Sequence, residues 1–194
     1  PTLIGEWGGH WQEQRPAIVA AELHTGLWMQ ATLPYGGNVG FWWWLWLDAA
    51  DAWGEYASVT RFMAGEDPRG LGLRPLRPVV TGGKGRIQGM RGATTHRYYA
   101  WTPGLETDAR LRNREVSGEA AIPVGEPGSH WRVERWNCQT GTASATSELV
   151  ADPQGLLRLP LGVLDPDAAF KIDRIGLPTP GATTPSADAT PGSE

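Results

Sequence analysis

The sequence has few cysteines and few lysines, and it has no long run of charged or of apolar residues. Cys138 is the only cysteine, so no disulfide can form within the chain. The cysteine content therefore does not indicate whether the protein resides in an oxidising or a reducing compartment. Lys84 and Lys171 are the only lysines. No long acidic or basic run accompanies the formal net charge of −4, which argues against nucleic acid as a partner. The most apolar run, residues 39–47, is far shorter than the ~20 residues that a membrane-spanning helix needs, so we expect no transmembrane segment.

Tryptophan is abundant and unevenly placed. The chain has 11 tryptophans among 194 residues. This asymmetry suggests two regions with different roles, because most of them fall in the first 53 residues: Trp7, Trp11, Trp28, Trp42, Trp43, Trp44, Trp46 and Trp53.

The N-terminal segment predicts a short strand that ends on a carboxylate. Residues 2–7 are mostly apolar or β-favouring up to Glu6, and Gly8 and Gly9 then release the backbone into a polar loop over 8–14. The chain begins on proline rather than methionine, shows no signal peptide and enters this strand directly. We therefore expect it to be a piece of a longer protein.

The next sixty residues predict a helix, a strand and a second helix. Apolar residues at helical spacing behind Pro16 indicate a helix over 15–32. The continuous apolar run 39–47 favours a strand that is buried on both faces, as in a parallel sheet. A second helix would follow, capped by Asp48 or Asp51 and ended by Gly65. It would bury the face formed by Trp53, Tyr56, Ala57, Thr60, Met63 and Ala64. The order βαβα is that of an α/β fold.

The second half differs from the first in its composition and in its hydrophobic pattern. Proline, glycine and arginine over 68–78 suggest a linker, and residues 176–194 are a Pro-, Thr-, Ser- and Ala-rich tail that we expect to be disordered. Short strand candidates with turn signals between them predict an antiparallel β-sandwich over 79–175. These candidates are 85–91, 95–101, 116–124, 130–138, 143–150, 155–161 and 168–173.

Several motifs carry a resemblance to a known family. Residues 4–8, Ile-Gly-Glu-Trp-Gly, resemble the seventh-strand motif of clan A glycoside hydrolases, the retaining (β/α)8 barrels. The order of 24–28, 40–44 and 62–67 is similar to the last two βα units of bacterial cellulase-like, family 5-like hydrolases, which often carry a C-terminal β-sandwich. Residues 130–141 resemble that sandwich. Leu45 departs from the pattern, because a carboxylate often follows the tryptophan triplet directly in those relatives.

The resemblance implies both a fold and a function. The fold would be α/β plus all-β: the last two βα units of a (β/α)8 barrel over 1–67, then the antiparallel β-sandwich. The function would be that of a retaining glycoside hydrolase fragment that cleaves O-glycosidic bonds in a polysaccharide or oligosaccharide, with Glu6 as nucleophile. The acid/base Glu would lie upstream of Pro1, so we expect the isolated chain to be catalytically incompetent. No cofactor and no metal are implied. The expected location is extracellular or periplasmic in a bacterium.

The candidate site residues each have a structural alternative. Trp42, Trp43, Trp44 and Trp46 could stack on sugar rings, yet alternation along a strand would send some of them into the core. Asp48 could bond a substrate hydroxyl or serve only as a helix cap. Glu6 could be a structural carboxylate paired with an arginine rather than a nucleophile.

A rival hypothesis is a non-catalytic carbohydrate- or matrix-binding module in which the β-sandwich is the functional unit. We favour core packing for the aromatic residues of that region, which are Tyr98, Tyr99, Trp101, Trp131 and Trp136. His10 and His24 lack metal-ligand spacing, and His24 is expected to make a core or interhelix hydrogen bond. Cys138 is expected to be a small buried residue.

Overall fold

A computed structural model describes residues 5–9, 15–35, 40–105 and 116–176. Within these ranges the chain forms three helices and nine strands. The helices are α1 (Pro16–Ala31), α2 (Trp44–Ala49) and α3 (Gly54–Met63). The strands are β1 (Arg74–Leu76), β2 (Val79–Thr81), β3 (Arg86–Arg91), β4 (Thr95–Trp101), β5 (Glu119–Pro123), β6 (His130–Asn137), β7 (Thr142–Val150), β8 (Leu156–Pro160) and β9 (Asp167–Gly176).

The strands form two antiparallel sheets that pack as a β-sandwich. One sheet has six strands in the order β1-β3-β4-β9-β6-β7, and the other has three in the order β2-β5-β8. The predicted antiparallel sandwich is confirmed, because strands β3 to β9 match the seven predicted candidates. Strands β1 and β2 were not predicted. Each has only three residues, so no alternating pattern can develop in the proline-rich sequence around Pro75 and Pro78.

The central strand β4 is buried on both faces, which makes the molecule three layers deep. Tyr98 and Ala100 point into the core between the two sheets. Tyr99 and Trp101 point to the opposite face, where they join the core under the helices. Because successive side chains of a strand alternate between faces, one strand supports both cores.

Helices α1 and α3 cover the outer face of the six-stranded sheet. Leu23, Leu27 and Trp28 of α1 and Phe62 of α3 share a buried core with Tyr99 of β4. The ring of Trp28 stacks on Tyr99 at a centroid distance of 6.3 Å and meets the edge of Phe62 at 5.2 Å. The helix predicted over 15–32 is therefore confirmed, and its apolar face is buried against the sheet.

The prediction of two βα units of a (β/α)8 barrel is wrong. Of the predicted strand 39–47 the structure describes residues 40–47, and these form no strand: Phe41 makes a single parallel bridge with Trp7, and helix α2 begins at Trp44. Residues 5–7 of the strand predicted over 2–7 are irregular apart from that bridge, and residues 2–4 lie outside the described ranges. A buried parallel strand needs paired neighbours along its length. Among the residues that the structure describes, this bridge is the only pairing of the two segments, and tryptophan, leucine and alanine are compatible with a helix.

The buried face of α3 also differs from the prediction. The residues buried in α3 are Ser58, Val59 and Phe62, whereas Trp53 is 49% exposed and Thr60 is exposed. Phe62 determines this face, because its ring packs against Trp28 and Trp136. The expected side-chain cap is wrong as well, since Trp53 is the N-cap and makes no capping hydrogen bond.

The division of the chain into regions stays a prediction. Strand β1 lies inside the stretch 68–78 that was predicted as a linker, and the helices of the first 67 residues share a core with the sheet. The predicted disordered tail begins at Gly176, the last residue of β9, and residues 177–194 lie outside the described ranges.

Candidate functional site

A cleft rich in tryptophan forms where the segment 5–9 meets the segment 40–49. The backbone N–H of Trp42 donates to the carbonyl of Trp7 at 2.8 Å, beside the Trp7–Phe41 bridge. The indole Nε1 of Trp43 donates to the carbonyl of Gly9 at 2.6 Å. These two hydrogen bonds hold the segment 5–9, which carries Glu6, beside the tryptophan run.

The floor of this region is anchored on helix α1. The ring of Trp7 packs against Phe41 at a centroid distance of 4.8 Å. It also lies over Gly26, where an added Cβ would come within 2.0 Å of the indole. The backbone N–H of Gly9 donates to a carboxylate oxygen of Glu22 at 3.1 Å. Because Gly26 has no side chain, Trp7 can lie close to the helix and carry Glu6 with it.

Two adjoining cavities make up what we call the tryptophan cleft. The larger has a volume of about 470 Å³ and is lined by Glu6, Trp42, Trp43, Trp44, Leu45, Trp46 and Ala49. The smaller has a volume of about 420 Å³ and is lined by Glu6, Trp7, Gly8, Gly9, Trp42 and Trp43. Both volumes are in the range typical of small-ligand sites.

Glu6 is exposed and lines both cavities. In the part of the chain that the structure describes, its carboxylate makes no hydrogen bond and no ion pair. The structural interpretation of Glu6, a carboxylate paired with an arginine, therefore finds no partner among the described residues. Its carboxylate faces solvent beside apolar rings, where it can accept hydrogen bonds from a ligand's hydroxyl groups.

The cleft contains most of the residues that the sequence suggested. Trp42, Trp43, Trp44 and Trp46 all line it, and Trp42 and Trp44 are 49% and 61% exposed. Asp48 is exposed on α2 and is not among the described residues that line the cleft.

Sequence reasoning missed Leu45 and Ala49 as cleft residues because their segment was predicted as a strand. Leu45 is 67% exposed and lines the larger cavity together with Ala49. Residues four apart lie on one face of a helix, so Leu45 and Ala49 are brought together by α2. A helical assignment over 44–49 would have identified them.

The aromatic residues of the sandwich are mostly buried. Tyr98 and Tyr99 are fully buried, Trp131 is 1% exposed and Trp101 is 6% exposed. Trp136 is half-buried, and the ammonium of Lys171 lies 4.7 Å from its ring centroid. Core packing, the role favoured for these residues from the sequence, is confirmed for the four that are buried.

A second polar cluster lies buried between α1 and the sheet. His24 Nε2 is 2.7 Å from Asp167 Oδ2, and His24 Nδ1 is 2.8 Å from Glu55 Oε2. The hydroxyl of Tyr99 donates to the same Asp167 oxygen at 2.8 Å. Burial alone would lower the pKa of His24, but its hydrogen bonds to Asp167 and Glu55 raise that pKa to about 9. The expected hydrogen-bonded core role of His24 is confirmed.

Cys138 is buried beside this cluster, as expected. Burial raises the pKa of its thiol well above the usual range, and the neighbouring Asp167 raises it further. A thiol of this kind stays protonated and unreactive. We therefore interpret the cluster as structural: its charged side chains connect α1 to β9.

No group of three or more His, Cys, Asp and Glu side chains in the described ranges could hold a metal ion. None of the helices described is both long enough and apolar enough to cross a membrane. Comparison with protein-family models and with curated proteins finds no match to this sequence.

Proposed function

We propose that this chain supplies a saccharide-binding surface and the nucleophile, Glu6, to a retaining glycoside hydrolase whose acid/base carboxyl lies outside the chain. One observation carries the proposal: the carboxylate of Glu6, which has no partner among the described residues, lies in a cleft lined by four tryptophans. Pyranose rings stack their C–H faces on indoles, and a carboxylate can attack the anomeric carbon of a sugar held in that way.

The chemistry of a retaining glycosidase explains why the nucleophile and the acid/base carboxyl are assigned to different parts of the enzyme. A retaining enzyme needs a second carboxyl group about 5 Å from the nucleophile, on the other side of the sugar. Glu6 is the only carboxylate among the described residues that line the tryptophan cleft. The isolated chain is therefore expected to bind a saccharide without turning over ordinary glycosides. Turnover by the isolated chain that is lost in Glu6→Gln would contradict that expectation.

Saccharide binding is tested by titrating the chain with glucose, xylose and mannose oligosaccharides and recording tryptophan fluorescence and heat. Trp42→Ala or Trp44→Ala should weaken binding about 2- to 10-fold, the range expected for losing one aromatic contact of about 0.5–1.5 kcal/mol. Trp53→Ala is the matched control, because Trp53 is as exposed as Trp42 and lies outside the described cleft lining. An equal loss in all three variants would exclude the cleft as the binding site.

The role of Glu6 is tested with a substrate that needs no acid catalyst. In a dinitrophenyl 2-deoxy-2-fluoroglycoside the leaving phenolate departs unprotonated. A carboxylate oxygen of Glu6 forms a bond to the anomeric carbon as the bond to the phenolate breaks, and the phenolate takes the electron pair. We expect a fluoroglycosyl ester on the peptide that contains Glu6, detected by mass spectrometry and absent in Glu6→Gln.

The labelling result separates catalysis from binding alone. A chain that binds oligosaccharides through Trp42 and Trp44 but never labels Glu6 would be a non-catalytic carbohydrate-binding protein, and the nucleophile assignment would be wrong. Labelling at another carboxylate would also overturn it.

A further inference from the structure

A second groove lies away from the tryptophan cleft, between the C-terminal part of α1 and the β1–β3 region. Its larger cavity has a volume of about 550 Å³ and is lined by Met29, Arg86 and Trp101 among others. Its smaller cavity has a volume of about 360 Å³ and includes Tyr35. Arg77 and Gln88 line both cavities, so the two adjoin, and we call them together the arginine groove. It shares no described lining residue with the tryptophan cleft.

The arginine groove is positively charged in a protein with a net charge of −4. Arg77 and Arg86 line it, and no carboxylate is among its described lining residues. The whole stretch 68–105 contains no Asp or Glu, although it holds seven cations, which are Arg69, Arg74, Arg77, Lys84, Arg86, Arg91 and Arg97. The positive charge is therefore a feature of this part of the surface and not of the molecule as a whole.

Other arginines of this stretch are already engaged with protein groups. Arg69 pairs with Asp67, Arg97 pairs with Glu66 and Asp173, and Arg91 donates to a backbone carbonyl. Arg77 is exposed and makes no ion pair or side-chain hydrogen bond within the described ranges. Its guanidinium fork is thus free to take a planar anion from solution in the way that it would take a protein carboxylate.

The rest of the groove is chemically suited to a sugar. The half-buried ring of Tyr35 and the apolar side chain of Met29 offer surfaces for C–H faces. Gln88 is 5% exposed and makes no side-chain hydrogen bond to another described residue, so its amide can pair with hydroxyl groups. From this combination we infer that the arginine groove binds an acidic saccharide, a sugar whose carboxylate pairs with Arg77 while its ring lies along Tyr35 and Gln88.

The test compares two probes that differ only at the sugar C6 atoms. Galacturonic acid trimer should bind in calorimetry at low ionic strength, and galactose trimer should bind about 10- to 100-fold more weakly, the range for losing one charge-assisted hydrogen-bonded contact. Arg77→Gln should reduce the affinity for the acidic trimer to that of the neutral one. Arg77→Lys, which keeps the charge and loses the fork, should recover only part of it.

Arg74→Gln is the matched control, because Arg74 is an exposed arginine three residues away that does not line the groove. Circular dichroism of each variant checks that the exposed substitutions leave the fold intact. The inference is overturned if Arg74→Gln weakens binding as much as Arg77→Gln. It is also overturned if the two trimers bind alike, or if a short poly-glutamate peptide competes as well as the acidic trimer. Trp42→Ala should leave this binding unchanged, which separates the groove from the function proposed for the tryptophan cleft.

Discussion

His24 Nε2 lies 2.7 Å from Asp167 Oδ2, although 143 residues separate them in the chain. His24 is on helix α1 and Asp167 begins strand β9, so this contact ties the helical layer to the middle of the larger sheet. Both groups are buried, with 5% and 7% of their surface exposed. A buried imidazole between two carboxylates is held in its charged form, which makes the attachment of α1 dependent on pH.

The first prediction concerns stability at alkaline pH. The pKa of His24 is about 9 in the folded protein and 6.5 without the fold. Its stabilising contribution is therefore complete below pH 6.5 and is lost as the pH rises to 9. Urea unfolding between pH 6.5 and 10 should show the free energy of unfolding falling by an amount on the order of 3 kcal/mol.

Histidine variants separate this effect from other titrations. His24→Gln should lower stability at pH 6.5 and flatten the decline above it. His130→Gln should behave like the parent protein, because His130 is half-buried and makes no side-chain contact of this kind with the described residues. A decline that persists unchanged in His24→Gln would assign the alkaline sensitivity to another group.

The second prediction concerns the stability of the folded protein at acidic pH. His96 is 1% exposed, lies 5.0 Å from the Trp131 ring centroid and has no hydrogen-bond partner at either ring nitrogen in the described ranges. Burial lowers the pKa of His96 to about 4, and Arg91 and Arg97 add repulsion to the charged form. The unfolded chain therefore takes up a proton before the folded one does, and stability falls as the pH drops from 6.5 through 4.

A phenylalanine variant tests the acid limb. His96→Phe keeps an aromatic ring in the core and removes the titrating group. Between pH 6.5 and 4 its stability should decline less than that of the parent, by an amount on the order of 3 kcal/mol, in the same urea measurement. If the two proteins lose stability in parallel, the carboxylates and not His96 control the acid limb.

Sequence patterns predicted the positions of the strands more accurately than they predicted which side chains pack against each other. The seven predicted strands were confirmed because alternation and turn residues are local, as in the run from Leu157 to Leu161. The run 39–47 was mistaken for a strand because a continuous apolar run does not distinguish a buried strand from a helix. The buried face of α3 was wrong because contacts of Phe62 with Trp28 and Trp136, distant in sequence, determine it.

The candidate site was partly predictable for a similar reason. One bridge and two hydrogen bonds join the segment 5–9, which carries Glu6, to the start of the tryptophan run, so two features that are prominent in the sequence meet in space. The arginine groove was not foreseen, because its lining comes from α1 and the residues after it, the short segment around β1 and β2, strand β3 and Trp101 of β4. Only the packing of the helical layer on the sheet brings these residues together.

The third prediction concerns Glu66, which links α3 to the sheet. Its carboxylate accepts from Lys171 Nζ at 2.7 Å and from Arg97 Nε at 3.0 Å, and both cations are largely buried. Glu66→Gln would leave two buried cations with less compensating charge. The free energy of unfolding should fall by about 3 kcal/mol, the lower end of the range for breaking a buried pair.

An exposed pair provides the control for Glu66. Glu126 pairs with Arg174, and its side chain is 51% exposed. Glu126→Gln should therefore cost about 0–1 kcal/mol in the same urea measurement. Equal losses in the two variants would mean that burial of the Glu66 cluster does not strengthen it.

The fourth prediction links the helix to the tryptophan cleft through Gly26. A Cβ at Gly26 would come within 2.0 Å of the Trp7 ring, whereas a Cβ at Gly54, the first residue of α3, would meet nothing within 4 Å. Gly26→Ala should displace Trp7, break its bridge to Phe41 and shift Glu6 away from the cleft wall. Gly54→Ala should leave the cleft unchanged and keep or slightly raise stability, because alanine favours the helix over glycine by about 1 kcal/mol.

The Gly26→Ala variant is tested by recording its tryptophan fluorescence and by measuring its affinity for oligosaccharides. Gly26→Ala should change the tryptophan emission spectrum and weaken oligosaccharide binding about 2- to 10-fold, as for the loss of one aromatic contact. Adding Trp7→Ala to Gly26→Ala removes the clash, so the double variant should recover the unfolding free energy lost in the single one without regaining full affinity. If Gly26→Ala binds like Gly54→Ala, the position of Trp7 does not control the cleft, and Glu6 is held there by the bonds of Trp42 and Trp43 alone.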